Sequence, residues 1–331
     1  MKIYKYEEIL KKAKELNCKR HLLLGNGFSI AWNKNIFNYD SLYNSIDFSK
    51  KKRLKKVFDQ LKTTDFEHVL RVLNDTSKIF DIYSDIGLDK VIQDYKYLQN
   101  TLIRAITDNH PEDPTKLNYD EKLSCRKFLS EFNHIYTTNY DILLYWVLMF
   151  DENDITVNCD DGFREPDEKD LDYVTWDVEK AGNQTVYYMH GALHLFDNEH
   201  EFQKYTWSKT AVKLIEQIRE ALNENKFPMF VSEGSSIQKM TKIQHNGYLN
   251  RALRSLKEIG GCLFIYGLSF SNNDDHIFKV LEKNTRLKKI FISLYGSPKD
   301  KENKRLIAKI ENSKLADKVL FYDANSAHIW R

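Results

Sequence analysis

Arg20-His21-Leu22-Leu23-Leu24-Gly25-Asn26-Gly27-Phe28-Ser29 is the stretch on which the fold turns. A short apolar run stopped by glycines predicts a buried strand and a tight turn, with a helix following from Phe28 or Ser29. Glycine lets the backbone approach a ligand closely and permits positive φ. Peptide N–H groups at the following helix start can then cradle a pyrophosphate, with Ser29 adding a hydroxyl donor. A G-x-G turn is also simply a tight turn. The third glycine of a dinucleotide fingerprint is absent, as is an acidic residue on a second strand about twenty residues on.

Strands that end in polar or glycine residues recur downstream. His134 to Thr138 runs into Asn139-Tyr140-Asp141 and a strongly apolar helix from Ile142 to Met149, which predicts a buried helix. Val186 to Met189 runs into His190-Gly191, and Cys262 to Tyr266 breaks at Gly267-Leu268-Ser269. Asn272-Asn273-Asp274-Asp275 offers helix caps ahead of the apolar face Ile277, Val280 and Leu281. Two closing strands fall at 290–294 and 319–322, with a helix from about Asp300 to Glu311 between them. A short strand is read at Met229-Phe230-Val231. Helices are read near 208–224, with Val212, Ile215, Ile218 and Leu222 on one face, and near 246–258. Residues 151–184 are acidic and loop-like, and the first fifteen residues are charged and helical in pattern.

Residues 34–130 read as a helical insertion. Thr64-Asp65-Phe66-Glu67 fits a capping box. From Asp89 to Asp108 the apolar positions Val91, Ile92, Tyr95, Leu98, Leu102 and Ile106 recur at helical spacing, and Pro111 and Pro114 end that stretch. Strands alternating with helices predict an α/β fold: a Rossmann-like parallel sheet with helices on both faces, one domain over 1–331 with the helical insertion inside it. Ligands in such sheets bind outside the carboxyl ends of the strands. Here those ends carry the polar clusters quoted above.

Composition narrows the classes. The chain has 331 residues, 42% of them hydrophobic and 30% charged, which suits a globular domain rather than a disordered chain. Its 50 basic and 48 acidic residues leave a formal charge of +2, too weak a field to predict nucleic-acid or membrane binding. The basic run Lys50-Lys51-Lys52-Arg53 with Lys55 and Lys56 reads as a solvated helix face. Cys18, Cys125, Cys159 and Cys262 form no CxxC pair, so a zinc ribbon is not expected and free thiols in a reducing cytosol are. The N-terminus lacks a signal-peptide pattern, and the longest apolar run, Ile142 to Phe150, is too short to span a bilayer. A cytoplasmic protein is expected.

Each candidate residue has two readings. Thr138, Asn139 and Asp141 sit where they would serve a ligand or cap the following helix. His190 suits general-base work near neutral pH, or a structural role, with His194 as competitor. Ser269 would meet a phosphate or ribose hydroxyl, or start a turn, and Asp274 and Asp275 would hold ribose hydroxyls or cap a helix.

Taken in order, Gly25 to Ser29, Thr137-Thr138-Asn139-Tyr140-Asp141, His190-Gly191 and Gly267-Leu268-Ser269 resemble the sirtuin-like superfamily. Its members carry a G-x-G-x-S turn, a T-x-N-x-D motif, an H-G pair and a G-x-S turn, each after a strand. The resemblance covers most of the chain outside the insertion. It is strongest to bacterial sirtuin-like proteins of antiviral defence, which degrade NAD. It implies Asn139 and His190 as the catalytic pair, and NAD as substrate. It further implies Gly25, Asn26, Gly27, Phe28, Ser29, Thr138, Asp141, Gly267, Ser269 and Asp274 around the dinucleotide, and no metal. Two departures stand out. The four-cysteine zinc module of deacetylating sirtuins is missing, since 192–266 holds only Cys262. The G-[IV]-P-D-F-R loop is also missing, and Ile36-Phe37-Asn38-Tyr39-Asp40 occupies its region, with Tyr39 a partial stand-in. The implied activity is hydrolysis of the nicotinamide–ribose bond, regulated by oligomerisation, a partner protein or a phage signal. A non-catalytic sensor of NAD or ADP-ribose and a protein deacylase are the alternatives. NAD and NADP are not separated at this level.

Overall fold

The computed structural model describes the chain apart from residues 1, 38, 50, 84–86, 151–154, 169–170, 199, 207–211 and 233–234, and apart from the side chains of residues 39–41, 81 and 83. Its strands are β1 (Ile3–Tyr4), β2 (Arg20–Leu24), β3 (His134–Thr137), β4 (Phe163–Arg164), β5 (Tyr173–Trp176), β6 (Val186–Tyr188), β7 (Leu195–Asp197), β8 (Phe202–Tyr205), β9 (Gly261–Tyr266), β10 (Leu287–Leu294) and β11 (Val319–Asp323). Its helices are α1 (Tyr6–Glu15), α2 (Gly27–Trp32), α3 (Lys34–Phe37), α4 (Tyr39–Asn44), α5 (Lys52–Leu61), α6 (Phe66–Tyr83), α7 (Leu88–Asn109), α8 (Tyr119–Ser130), α9 (Leu143–Met149), α10 (Leu214–Asn223), α11 (Ser236–His245), α12 (Gly247–Glu258), α13 (Asp275–Lys283) and α14 (Lys301–Glu311).

Seven strands form one parallel sheet in the order β1-β11-β10-β9-β2-β3-β6. A strand buried on both faces needs apolar residues at every position, and β2 and β9 supply them as Leu22-Leu23-Leu24 and Leu263-Phe264-Ile265, all fully buried. Helices cover both faces, as a Rossmann-like fold requires. On one, Tyr6 of α1 and Phe132 just after α8 pack on Phe264 at ring-centroid distances of 6.1 and 5.2 Å. On the other, Tyr136 bonds Ser255 of α12 at 2.7 Å. The chain leaves β2 toward β3 and β6 on one side, and later builds β9, β10 and β11 on the other. The switch point therefore lies between β2 and β9, where a crevice opens at the carboxyl ends.

Between residues 34 and 130 the described residues form helices and no strand. Of these helices α8 lies on the sheet, while α6 and α7 pair with each other. The basic run begins α5, whose Leu54 and Phe58 are buried while Lys52, Arg53, Lys55 and Lys56 are exposed, as a solvated face should be. The apolar α9 is buried from Leu143 to Leu148, and the buried Arg126 guanidinium bonds the carbonyls of Val147 and Leu148 at 3.1 Å, satisfying its C-terminal end. All four cysteines are free, with the sulfurs of Cys18 and Cys262 3.4 Å apart. Among the described residues no helix is long and apolar enough to cross a membrane.

Several expectations are corrected. Residues 151–184 are not all loop: β4 and β5 join β7 and β8 in a separate antiparallel sheet ordered β4-β5-β8-β7. These strands are two to four residues long, too short for alternation to stand out among acidic neighbours. Helix α11 was not expected, although Ser235 and Gln238 form its capping box. The segment at Met229–Val231 makes only an isolated bridge, Gly191 to Phe230. Val212 precedes α10 and is exposed, whereas Ile215, Ile218 and Leu222 form the buried face. The start of the helix expected near 208 lies outside the described residues. The Thr64 capping box also fails: Asp65 accepts the His68 amide at 3.1 Å, and Glu67 turns inward to partners described below.

The glycines of the first turn are explained by the neighbouring turn. Gly25 and Gly27 do not need positive φ. A Cβ on Gly27 would lie 2.5 Å from the Cα of Gly267, and one on Gly25 2.6 Å from the Gly267 carbonyl oxygen. The amide of Gly27 donates to Gly267 O at 2.8 Å, and that of Gly25 to Tyr266 O at 2.9 Å. Gly267 itself has φ +70°, a conformation that L side chains rarely adopt. The turns after β2 and β9 thus interlock at the switch point. Gly267→Ala is expected to cost about 1–3 kcal/mol of stability in denaturant unfolding, and Gly27→Ala to be destabilising as well. A loss below about 0.5 kcal/mol in both would show that the turns can part freely.

Candidate functional site

A cavity of about 980 Å³ opens at the carboxyl ends of the central strands. That volume is at the upper end of the roughly 300–1,000 Å³ range of small-molecule sites. Its floor is built by four strand-end turns from β9, β2, β3 and β6, which are adjacent in the sheet. Its wall comes from the helical region, through Phe37, Leu42, Leu102 and Ile106, and from the segment Asn325 to Arg331.

Asn139 follows β3 and is 6% exposed. Its Nδ2 donates to Ser29 Oγ at 2.9 Å, and the Ser29 hydroxyl donates in turn to Asp141 Oδ2 at 2.5 Å. Asp141 Oδ1 accepts the Leu143 amide at 3.0 Å, so this carboxylate both anchors the chain and satisfies the first amide of α9. Burial pushes the Asp141 carboxyl above the usual range, against the pull of its hydrogen bonds from Ser29 and Leu143. The consequence is directional: with Nδ2 held, Asn139 Oδ1 is fixed, buried and without a hydrogen-bond partner among the described residues, on a residue that lines the cavity. A buried acceptor in that state is costly unless something completes it.

His190 follows β6, is 2% exposed and also lines the cavity. Its Nε2 lies 2.9 Å from the Nε2 of His276 at the start of α13. Burial, then Lys239, then His276 hold His190 well below the ordinary imidazole range, so it is neutral at physiological pH. Burial likewise lowers His276 to about 4.

A buried ion group lies beside this pair. Lys239 of α11 is 1% exposed and its ammonium bonds Glu67 Oε2 of α6 at 2.9 Å, with Asp274 Oδ1 at 3.6 Å. Burial opposes the charged lysine, but Glu67 and Asp274 together offset it and hold Lys239 above its ordinary value. Glu67 Oε1 also accepts from the Tyr140 hydroxyl at 3.1 Å. His190, His276 and Asp274 bring ligand atoms within 4.8 Å of one another, the raw material of a metal site, with the Lys239 ammonium already beside the carboxylate.

The sequence-derived candidates divide accordingly. Asn26, Gly27, Thr138, Asn139, Asp141, His190, Gly267, Ser269 and Asp274 all line the cavity. Gly25, Phe28 and Ser29 do not: Gly25 packs on the Gly267 turn, Phe28 packs its ring on Trp330 at 4.8 Å, and Ser29 is fully buried between Asn139 and Asp141. The expected phosphate contact from Ser29 is replaced by a positioning role. Asn26 Nδ2 bonds the Phe37 carbonyl at 2.9 Å, tying the first turn to α3. Asp275 pairs with Lys309 rather than facing the cavity. His194 is fully buried against Tyr145 and Tyr188 and is not part of the cavity lining. The stand-in Tyr39 has its side chain outside the described residues. Glu67, Lys239, His276, Tyr140 and Trp330 were not foreseen as site residues. The Ser235–Gln238 capping box is the signal that would have placed Lys239 on a helix.

Burial also lowers His21 and His110 to about 4 and His194 well below its ordinary value. A histidine whose folded value lies below its unfolded value of about 6.5 takes up its proton more readily in the unfolded chain. These groups leave stability intact above about pH 6.5 and remove it as pH falls below. The melting temperature is expected to drop between pH 7 and 5. A melting temperature flat across that window would contradict the neutral, buried state of these rings.

No curated protein matches the chain. The match that does span it is to the family described as Domain of unknown function (DUF4917), whose model covers residues 22–330, and the chain belongs to that family.

Proposed function

We propose that this chain hydrolyses the bond between nicotinamide and ribose in NAD, yielding nicotinamide and ADP-ribose. The observation that carries this reading is the pairing of a fixed, unpartnered amide oxygen on Asn139 with a neutral imidazole on His190, at the ends of neighbouring strands in one cavity. The nicotinamide nitrogen is positively charged in NAD, so it takes the bonding electron pair and leaves neutral without a general acid. The ribose carbon passes through an oxocarbenium-like state that water captures. Asn139 Oδ1 is suited to accept a hydrogen bond from a ribose hydroxyl or the attacking water. His190 is suited to take the proton that the water loses. Asn26, Gly27 and the Gly267–Ser269 turn lie where the pyrophosphate and adenosine half would run, and Lys34 and Arg331 add positive charge to the lining.

Unrestrained NAD hydrolysis would deplete its own cell, so the reading includes control, by self-assembly or a partner protein, in a cytoplasmic effector of antiviral defence. Phe37, Leu42, Leu102 and Ile106 wall the cavity from the helical region, so a contact that shifts those helices changes access.

Incubation with NAD is expected to release nicotinamide. Asn139→Ala and His190→Ala are each expected to lower the rate by about a hundredfold or more, with melting temperatures reported alongside. Release untouched by either substitution overturns the assignment, and NAD binding without turnover would point to a sensor. Because the folded value of His190 is depressed, its basic form persists below the ordinary imidazole value of about 6.5. The acid limb of nicotinamide release is therefore expected below the ordinary imidazole range. A midpoint at or above 6.5, with the fold intact by circular dichroism, contradicts the role of His190.

A further inference from the structure

Two imidazole nitrogens 2.9 Å apart cannot both carry a proton and cannot both present a lone pair. The contact between His190 Nε2 and His276 Nε2 therefore fixes a tautomer on each ring. The rings meet end to end, their centroids 5.0 Å apart and their planes 29° from parallel, both are buried, and they arrive from separate elements, the turn after β6 and the start of α13. If His276 were the donor, both nitrogens of a neutral His190 would be spent, Nε2 accepting and Nδ1 carrying the proton. No lone pair would remain for chemistry. With His190 as donor, its Nδ1 keeps a lone pair, and His276 accepts at Nε2 while carrying its own proton at Nδ1.

We propose that His276 is a positioning residue for His190: it accepts the Nε2 proton of His190 and so keeps the Nδ1 lone pair of His190 available to a cavity ligand. This rests on the hydrolase reading for its purpose, but not for its geometry. When Nδ1 takes a proton from water or a ribose hydroxyl, the Nε2 proton can shift to His276 Nε2, spreading the new charge over two rings. Burial is the largest influence on His276 and disfavours positive charge there, and the groups facing the pair modulate it. Asp274 and Asp275 favour positive charge on His276, while Lys239 opposes it. Glu67 on α6 binds Lys239 and moderates that opposition. The Tyr140 ring stands 6.4 Å from that of His190.

The test uses the full chain labelled with ¹⁵N-histidine, in the parent, His276→Ala and His276→Gln. Nitrogen-correlated spectra are expected to show His190 as the Nε2–H tautomer in the parent. His276→Ala is expected to lose that preference, whereas His276→Gln, whose side-chain oxygen can still accept, is expected to keep it. In nicotinamide release, His276→Ala is expected to lower kcat by about tenfold or more with KM within about twofold, and His276→Gln to recover part of that loss. An Nδ1–H tautomer on His190 in the parent overturns the proposal, as does a tautomer indifferent to both substitutions. The spectra need no turnover, so failure of the hydrolase reading would appear as absent nicotinamide with the tautomer result intact. Should His276→Ala fail to fold, the parent spectrum and the glutamine variant still decide.

Discussion

Everything at the candidate site depends on how closely the turn after β2 lies against the turn after β9. Gly27 and Gly267 meet at a distance that admits no side chain on either, and two amide hydrogen bonds hold them there. That contact has no freedom to slide, because parallel pairing sets the register of the two strands beneath it. It closes the switch point into a solid floor and aims the chain upward into α2. Ser29 then falls one turn into the interior, where it can reach Asn139 and Asp141 from the next strand. A backbone packing constraint is in this way converted into the orientation of one amide.

The same floor places charges that would otherwise be expensive. Lys239, Glu67 and Asp274 come from three separate elements, and the buried Lys239 and Glu67 would not be tolerated alone at that depth. Glu67 and Asp274 leave the lysine charged, and burial leaves both neighbouring histidines neutral. Neutrality matters chemically. A buried imidazole that cannot hold a proton at rest has its lone pair ready, and it returns the proton readily afterwards. The helical region supplies Glu67 and much of the cavity wall, so it is tied to the site by an ion pair as well as by packing.

Much of this was legible in the chain. The apolar runs at Leu22–Leu24, Ile135–Tyr136 and Leu263–Ile265 announce buried strands, and the glycine or polar residues that stop each run mark the edge where a site forms. Asn139 and His190 followed from that placement, and both line the cavity. What escaped were features decided by distant partners. Ser29 reads as a phosphate ligand locally, and only its burial beside Asp141 shows it to be a positioner. Glu67 reads as a cap because three-residue spacing cannot reveal a lysine 172 residues away. His276 reads as part of a helix start, since nothing local says that β6 delivers His190 to within 2.9 Å of it. The antiparallel strands escaped because two to four residues carry too little period to register.

The central claim is that a dinucleotide occupies the crevice where these turns meet. Calorimetric titration of NAD into Asn139→Ala, which is expected to bind without turnover, tests it most directly. The account predicts one NAD per chain, displaced by ADP-ribose. No heat of binding at millimolar NAD, in a chain whose melting temperature matches the parent, would contradict it.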